Sequence, residues 1–160
     1  MAEQLHAGIA EYKIGQEPFT LAALGLGSCV ATVIYDAQHH IGGISHIMLP
    51  DSTAFSAAQI TNPAKFANLA LPQMVTELRA AGATGPLTAK IAGGAQMFKT
   101  TSKQLNIGQR NIMAVQATLA ELAIPIIAQH VGGTQGRTMI VDLADFSTMI
   151  RIVHEGSIYI

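Results

Sequence analysis

Apolar residues, bounded by polar ones, form two short runs near the start of the chain. Residues 30–35 and 41–48 are rich in valine, isoleucine and other strand-forming residues. The five residues 36–40 between them are mainly polar, and a connection of this length is typical of a hairpin. The pattern predicts two antiparallel strands that are neighbours in a sheet.

Two later segments carry apolar residues at the helical period. In the first, Asn62 and Pro63 fit an N-cap and a first helical residue, and the period continues to Gly82 through Phe66, Leu69, Ala70, Met74, Val75 and Leu78. The second runs from about Asn106 or Ile107 to Leu122, with a buried stripe of Ile112, Val115, Leu119 and Leu122. The chain is therefore expected to contain two main helices.

Weaker strand patterns lie on both sides of these helices. They cover residues 5–13, 19–25, 88–92, 124–128, 137–143 and 148–153. Gly132, Gly133 and Gly136 mark a turn after the fourth of these segments, which predicts a C-terminal meander. Strands that cluster at both ends around two helices favour an α+β architecture, a layered α/β sandwich with mixed, mostly antiparallel sheets.

Composition narrows the class of protein. A chain of 160 residues is the size of one domain, so residues 1–160 are expected to form a single unit. Its hydrophobic fraction is 49%, but no apolar run reaches the length of a membrane span, and the first residues do not resemble a secretory signal. A cytoplasmic location without direct membrane insertion is expected. The net charge of -1, with scattered basic residues, argues against a nucleic-acid partner.

Cys29 is the only cysteine, so it cannot form an internal disulfide or a thiolate metal cluster. It is a buried small hydrophobe, a redox thiol or a nucleophile. Gly25, Gly27 and Ser28 directly precede it. Two glycines permit a tight turn that brings main-chain N–H groups beside the thiol, where they could bind an oxyanion. Gly27 and Ser28 are accordingly candidate substrate-binding residues.

His46 is the natural partner for this thiol. It lies near the far end of the second predicted strand, and a hairpin returns that end to the start of the first strand, next to Cys29. A thiol of ordinary pKa is mostly protonated at neutral pH, so a nearby imidazole is needed to take its proton. The imidazolium can then protonate a departing amine. The pair is suited to hydrolysis of an amide.

Other motifs do not indicate a further catalytic or binding site. Ser28 lacks the glycine pattern of a serine nucleophile elbow, and the two glycines before it do not complete a phosphate-binding loop. His39 and His40 lie together in the hairpin connection, but no matching third metal ligand is near in sequence. We interpret these two histidines as part of a solvated turn and predict no metal site.

Two longer blocks resemble the chemoreceptor glutamine deamidases of the CheD family. They are LGLGSCV at residues 24–30 and IGGISHIMLP at residues 41–50. Shorter similar blocks follow as KIAGGAQMF at residues 90–98, NIG with RN within residues 106–111, and GG with GR within residues 132–137. The resemblance extends over nearly the whole chain, and its first two blocks are its most specific part.

The resemblance implies a function for the Cys29 and His46 pair. It implies hydrolysis of selected glutamine side chains on the cytoplasmic helices of chemoreceptors to glutamate and ammonia, with Cys29 as nucleophile and His46 as base. It also implies a fold similar to the catalytic domain of bacterial deamidating toxins, the absence of any metal or organic cofactor, and binding to a CheC-like phosphatase.

One departure from the family pattern touches the site. Family members place a threonine six positions before the cysteine to orient the histidine, and here that position is Ala23. Thr20, Ser45 or a main-chain carbonyl must then replace the missing hydroxyl, or activity is weakened. The alternative to an enzyme is therefore a catalytically weak binding module that docks on the phosphatase or on receptors.

Overall fold

The computed structural model describes residues 3–97 and 106–160, which form ten strands and two helices within these ranges. The strands are β1 Gln4–His6, β2 Tyr12–Gln16, β3 Thr20–Leu26, β4 Val30–Asp36, β5 Ile41–Ile47, β6 Leu87–Gly93, β7 Ile126–Val131, β8 Arg137–Asp142, β9 Thr148–Ile152 and β10 Gly156–Tyr159. The helices are α1 Ala67–Ala80 and α2 Ile107–Glu121.

The strands form two five-stranded sheets. The first sheet has the order β1, β3, β8, β9, β10, and the second has the order β2, β5, β4, β6, β7. Only the pairs β1 with β3 and β6 with β7 are parallel among the described strands. The sheets are thus mixed and mostly antiparallel, which confirms the predicted fold class.

The two faces of the second sheet carry separate cores. Side chains such as Val33, Ile44 and Ala92 point towards the first sheet and pack with Leu21 and Met139. The alternate side chains of this sheet, among them Val30, Ile34 and Ile91, point towards the helices and form a second core with Leu71 and Val115. This explains why β4 has apolar residues at successive positions. Both faces of the strand are covered, so neither face is exposed to solvent.

The first helix begins later than the sequence predicts. Asn62 is an N-cap, but its side chain accepts from the N–H of Ala64 and caps the short 3-10 turn Pro63–Lys65. Phe66 is extended because it pairs with Leu49 in an isolated parallel bridge, and α1 starts at Ala67. Asn62 is therefore a cap, as its residue type predicts, but of the 3-10 turn and not of α1. The second helix begins at Ile107, one of the two predicted starts, and Asn106 is its N-cap.

Three strand predictions need correction. Residues 5–13 are not one strand, since the turn at Gly8 to Ala10 divides them between β1 and β2. The strand predicted at residues 124–128 is β7, which pairs with β6 in the second sheet, so the glycines after it connect two sheets and not a meander. The meander consists of β8, β9 and β10, of which the short exposed β10 was not predicted.

Within the described ranges, neither helix combines the length and apolarity that crossing a membrane requires.

Candidate active site

Cys29 lies in the turn that joins β3 to β4. Its side chain is half-buried and packs at the margin of the core between the two sheets. Gly27 and Ser28, the two residues before it, are also partly exposed. The thiol is therefore held by the edge of a rigid core and still reachable from outside.

The carbonyl groups of this turn are all hydrogen-bonded. The carbonyl of Gly27 accepts from the N–H of Ala95 at 2.9 Å, and the carbonyl of Cys29 accepts from the N–H of Gly94 at 2.8 Å. The N–H groups of Gly27, Ser28 and Cys29 donate to no other residue that the structure describes. The turn thus leaves these three donors without an acceptor in the described chain.

Gly93 makes this close approach possible. Its φ of +111° lies in the region that favours glycine, and a Cβ built on it would overlap the carbonyl oxygen of Cys29. The residue is the last of β6, and its neighbour Gly94 donates to that same carbonyl. A glycine is required here because strand β6 carries its backbone against the Cys29 turn.

His46 is buried in β5, with a relative exposure of 1%. Its Nδ1 lies 3.1 Å from the carbonyl oxygen of Ala7, which can only accept, so Nδ1 carries a proton. In the neutral ring Nε2 is then unprotonated. Nε2 has no hydrogen-bond partner among residues 3–97 and 106–160. The ring is oriented through one nitrogen and keeps the other available as a base.

The register of the hairpin puts the positions of Cys29 and His46 near each other, without a hydrogen bond between the thiol and Nε2. His46 stands directly opposite Ala31, and Val30 stands opposite Ile47. Cys29 is two positions before Ala31 and packs against the same core cluster, which places its side chain on the face shared by Ala31 and His46. Cys29 is therefore the diagonal neighbour of His46, a relation in which Cα atoms are roughly 7–8 Å apart and side chains can meet.

The segment before β2 wraps around His46. Besides the contact of the Ala7 carbonyl with the ring, the N–H of Ala10 donates to the carbonyl of His46 at 3.1 Å. The N–H of His46 in turn donates to the carbonyl of Glu11 at 2.9 Å. Asn62 fixes the segment from its other side by donating to the carbonyl of Ala10. Three hydrogen bonds thus hold one residue of β5 to residues 7–11.

The side chains considered as replacements for the family threonine lie elsewhere. Thr20 is at the start of β3, at the end of that strand remote from the Cys29 turn. Ser45 precedes His46 in β5 and so faces the helices, where its buried Oγ has no partner within the described chain. Ala23 is wholly buried in the core between the sheets. Of the alternatives, the main-chain carbonyl is the one that contacts Nδ1.

Burial sets the protonation of both groups. It raises the pKa of Cys29 above its ordinary value, since a thiolate is poorly solvated there. Burial lowers the pKa of His46, although the hydrogen bond to Ala7 and the charge of Glu11 partly oppose this shift. Both shifts favour the uncharged form. Burial thus favours a neutral thiol and a neutral imidazole as the resting state.

Alkylation of Cys29 by iodoacetamide is expected to reflect this resting state. Since the thiol pKa in the folded protein lies above that of an unfolded chain, the rate should keep rising at a pH where the urea-unfolded protein has reached its plateau. The single cysteine makes the labelling unambiguous. Rates measured by mass spectrometry against pH test this. A folded-state plateau already present at neutral pH would instead indicate a thiolate–imidazolium pair.

Two contributing residues were not identified from the sequence. Ala7 acts through its carbonyl, and a main-chain group leaves no trace in residue type. Asn111 is wholly buried in α2 and donates to the carbonyl of Ser28. Its position next to Ile112, on the buried side of the helix, could have indicated this role. A polar side chain that is buried needs a hydrogen-bond partner.

The histidine pair in the hairpin has a local role. Nδ1 of His39 is 2.9 Å from Oδ2 of Asp36, and the hydroxyl of Tyr35 contacts Nδ1 of His40 at 3.0 Å. No group of three or more histidine, cysteine, aspartate or glutamate side chains suited to a metal ion occurs in the part of the chain that the structure describes. The two histidines stabilise the turn.

Comparison with known proteins identifies the family. The family model described as CheD chemotactic sensory transduction matches residues 48–152. The chain belongs to the CheD family. It is 48% identical to the probable chemoreceptor glutamine deamidase CheD of Desulforamulus reducens, covering 94% of this chain and 91% of that protein. The protein of the same name from Moorella thermoacetica is 48% identical, and the match covers 94% of this chain and 92% of that protein. The one from Clostridium acetobutylicum is 45% identical, and the match covers 96% of this chain and 93% of that protein.

The two kinds of match differ in how much of this CheD-family chain they cover. The family model begins after Cys29 and His46. The pairwise matches cover at least 94% of the chain, which is too much for either residue to fall outside them. The likeness to the relatives thus extends over the candidate site as well as the helices and the second half of the chain.

Proposed function

We propose that this protein hydrolyses the side-chain amide of glutamine residues on chemoreceptors, giving glutamate and ammonia, with Cys29 as nucleophile and His46 as base. Membership of the CheD family supports the reaction, and the names of its relatives support the substrate. The observation that carries the assignment of residues is the free Nε2 of His46 on the same sheet face as the half-buried thiol.

The first step is activation of the thiol. Because the pKa of Cys29 is raised, few molecules carry a thiolate, and attack requires that the proton leave for Nε2 of His46 as the sulfur approaches the substrate. The sulfur forms a bond to the amide carbon, and the carbonyl π electrons move to oxygen. The proton taken from sulfur now makes the imidazole a cation.

The tetrahedral oxygen needs hydrogen-bond donors. The N–H groups of Ser28 and Cys29 donate to no other described residue, and the carbonyls of their turn are bonded elsewhere. Donors that are fixed before the reaction cost no reorganisation when charge develops on the oxygen. In this proposal Gly27 and Ser28 bind the substrate through the main chain.

Collapse of the intermediate uses the proton held by His46. Nε2 donates it to the departing nitrogen, ammonia leaves, and a thioester joins Cys29 to the substrate. Water then attacks the thioester carbon while Nε2 accepts its proton. The thiol is released by the return of that proton to sulfur, and the product side chain is glutamate.

The carbonyl of Ala7 takes the place of the family threonine in orienting the ring. It accepts from Nδ1 at 3.1 Å, which holds Nε2 in the unprotonated form that a base needs. A carbonyl oxygen also stabilises the imidazolium that forms during the reaction, because its dipole faces the N–H. The missing hydroxyl at Ala23 therefore does not leave His46 without support.

The surroundings of the thiol suit a protein substrate. Leu24, Met48 and Met97 are exposed large apolar residues close to the turn, and Met97 packs against Gly27. In this proposal the backbone of the substrate glutamine lies across this rim. The apolar rim favours a helix with apolar positions on its surface over a free amino acid.

Ala23 supports a second candidate, a binding module with little catalysis. A buried alanine supplies no hydrogen bond to the imidazole, so a protein selected only for docking on receptors or on a CheC-like phosphatase could dispense with the threonine. The contact between Ala7 and His46 argues against this candidate, since a module that only docks has no need of an oriented base.

Replacement of the nucleophile separates the two candidates. A receptor cytoplasmic fragment is incubated with the wild type and with Cys29→Ala, and intact-peptide mass spectra are read for the gain of about one dalton that conversion of an amide to an acid gives. The wild type is expected to deamidate the fragment, and the variant is expected to show no turnover above the protein-free background.

Binding to a CheC-like phosphatase serves as the control for folding. Cys29→Ala removes one small, half-buried side chain, so the variant should bind the phosphatase as the wild type does. If the wild type and the variant leave the receptor equally unchanged while both still bind, the deamidase proposal fails and the binding module is correct.

A further inference from the structure

Asn111 lies on the face of α2 that packs against the second sheet. Gly108, one turn earlier, is on the same face because residues three positions apart share a helix face. A Cβ at Gly108 would collide with the carbonyl oxygens of Gly94 and Ala95. The missing side chain lets the helix approach the backbone beside the Cys29 turn, and Asn111 then reaches into the site from behind.

The side-chain amide of Asn111 bridges the two halves of the site. Its Nδ2 donates to the carbonyl of Ser28 at 2.9 Å and to the carbonyl of Met48 at 3.1 Å. Ser28 directly precedes the nucleophile, and Met48 follows His46 by two residues. Both N–H groups of one buried amide therefore tie the Cys29 turn to the end of the strand that carries His46.

The first of these bonds also fixes a donor. The carbonyl of Ser28 and the N–H of Cys29 belong to one peptide unit, and in a trans peptide they point in opposite directions. Because Asn111 holds the carbonyl towards α2, the N–H of Cys29 must point away from the helix. Among the described residues that N–H has no acceptor, so it is available to a substrate oxygen.

We infer that Asn111 is a positioning residue for the proposed deamidation. It aims the N–H of Cys29 at the developing oxyanion and keeps the thiol at a fixed separation from His46. This inference rests on the proposed function for its kinetic consequence. Its structural content, the orientation of one peptide unit by one amide side chain, stands apart from any activity.

The test compares Asn111→Leu with Thr118→Val. Leucine is close to asparagine in size and has no donor. Thr118 lies on the same helix, is similarly buried, and donates to the carbonyl of Ala114 at 2.8 Å without contacting Ser28 or Met48. Both changes remove a buried hydrogen bond from α2, but only the first affects the Cys29 turn. Asn111→Ala is made in parallel in case leucine prevents folding.

Two measurements are made on each folded variant. In deamidation of a receptor fragment, Asn111→Leu is expected to lower kcat by about tenfold to a hundredfold with little change in KM, because the geometry of the reacting groups is lost and the binding surface is kept. In ¹H–¹⁵N spectra, the Cys29 amide resonance is expected to move further in Asn111→Leu than in Thr118→Val. The control should keep kcat within about twofold of the wild type.

The outcomes distinguish the two proposals. If the wild type deamidates and Asn111→Leu keeps its kcat, or loses no more than Thr118→Val does, the positioning role is refuted. If the wild type itself does not deamidate, the proposed function fails, and the spectra still decide the role of Asn111. A Cys29 resonance that is equally displaced in both variants would overturn the inference in either case.

Discussion

Replacing His46 by glutamine is expected to lower the deamidation rate by about a thousandfold or more. The general base and the general acid are the same imidazole in this site, and general acid–base catalysis contributes about 10²–10⁴ in rate. The effect should lie in the upper part of this range because the raised pKa of Cys29 leaves little thiolate without a base. The measurement is kcat on a receptor fragment, by mass spectrometry.

The controls for this variant use the thiol itself. His46 is buried, so a loss of activity could also come from unfolding. In the folded variant, the rate of Cys29 alkylation by iodoacetamide should still be rising at a pH where the urea-unfolded variant has reached its plateau, whereas an unfolded variant would give the same profile with and without urea. Glutamine can also still donate a hydrogen bond to Ala7. Retention of more than about a tenth of the wild-type kcat by folded protein would exclude His46 as the base.

Gly93→Ala is expected to destabilise the protein by about 4 kcal/mol. Two costs add at this position. An alanine at positive φ costs about 1–2 kcal/mol, and forcing a methyl group into close-packed surroundings costs about 1–3 kcal/mol. The clashing atom is the carbonyl oxygen of Cys29, a backbone atom that cannot rotate aside. Against a total stability of about 5–15 kcal/mol this is a large loss.

Gly156→Ala is the matched control. Gly156 has a φ of +89°, and a Cβ built on it meets no heavy atom within 4 Å. Its substitution carries the conformational cost without the collision, so a loss of about 1–2 kcal/mol is expected. Urea unfolding followed by circular dichroism measures both free energies of unfolding. Equal losses for the two variants would show that the Cys29 turn can move away from β6.

Local sequence patterns predicted the strands and helices better than they predicted which strands pair. Strands β4 and β5 and their pairing follow from two apolar runs joined by a short polar connection, and helix α2 follows from its apolar period. The parallel pairing of β7 with β6 joins segments more than thirty residues apart, with a helix between them. Such a contact depends on the packing of whole layers, which residue-by-residue patterns do not contain.

The same limit applies to the site. Cys29 and His46 carry side chains whose chemistry is recognisable, and the predicted hairpin already implies that their positions are neighbours across two strands. The group that contacts Nδ1 of His46 comes from Ala7, in another strand connection, and acts through its main chain. The sequence could pose the question of what replaces the threonine at Ala23, but three-dimensional structure was needed to find which acceptor lies beside the ring.

A carbonyl oxygen is present in every amino acid. Any residue that fits the space at position 7 supplies the same acceptor to His46, so alanine scanning and comparison of residue identities would both pass over this contact. A change in the path of the chain between Ala7 and Glu11, such as an inserted residue, would remove it even if every side chain near the ring were kept. Selection on this part of the site therefore acts on segment length and backbone course, and mutational surveys should include insertions and deletions here.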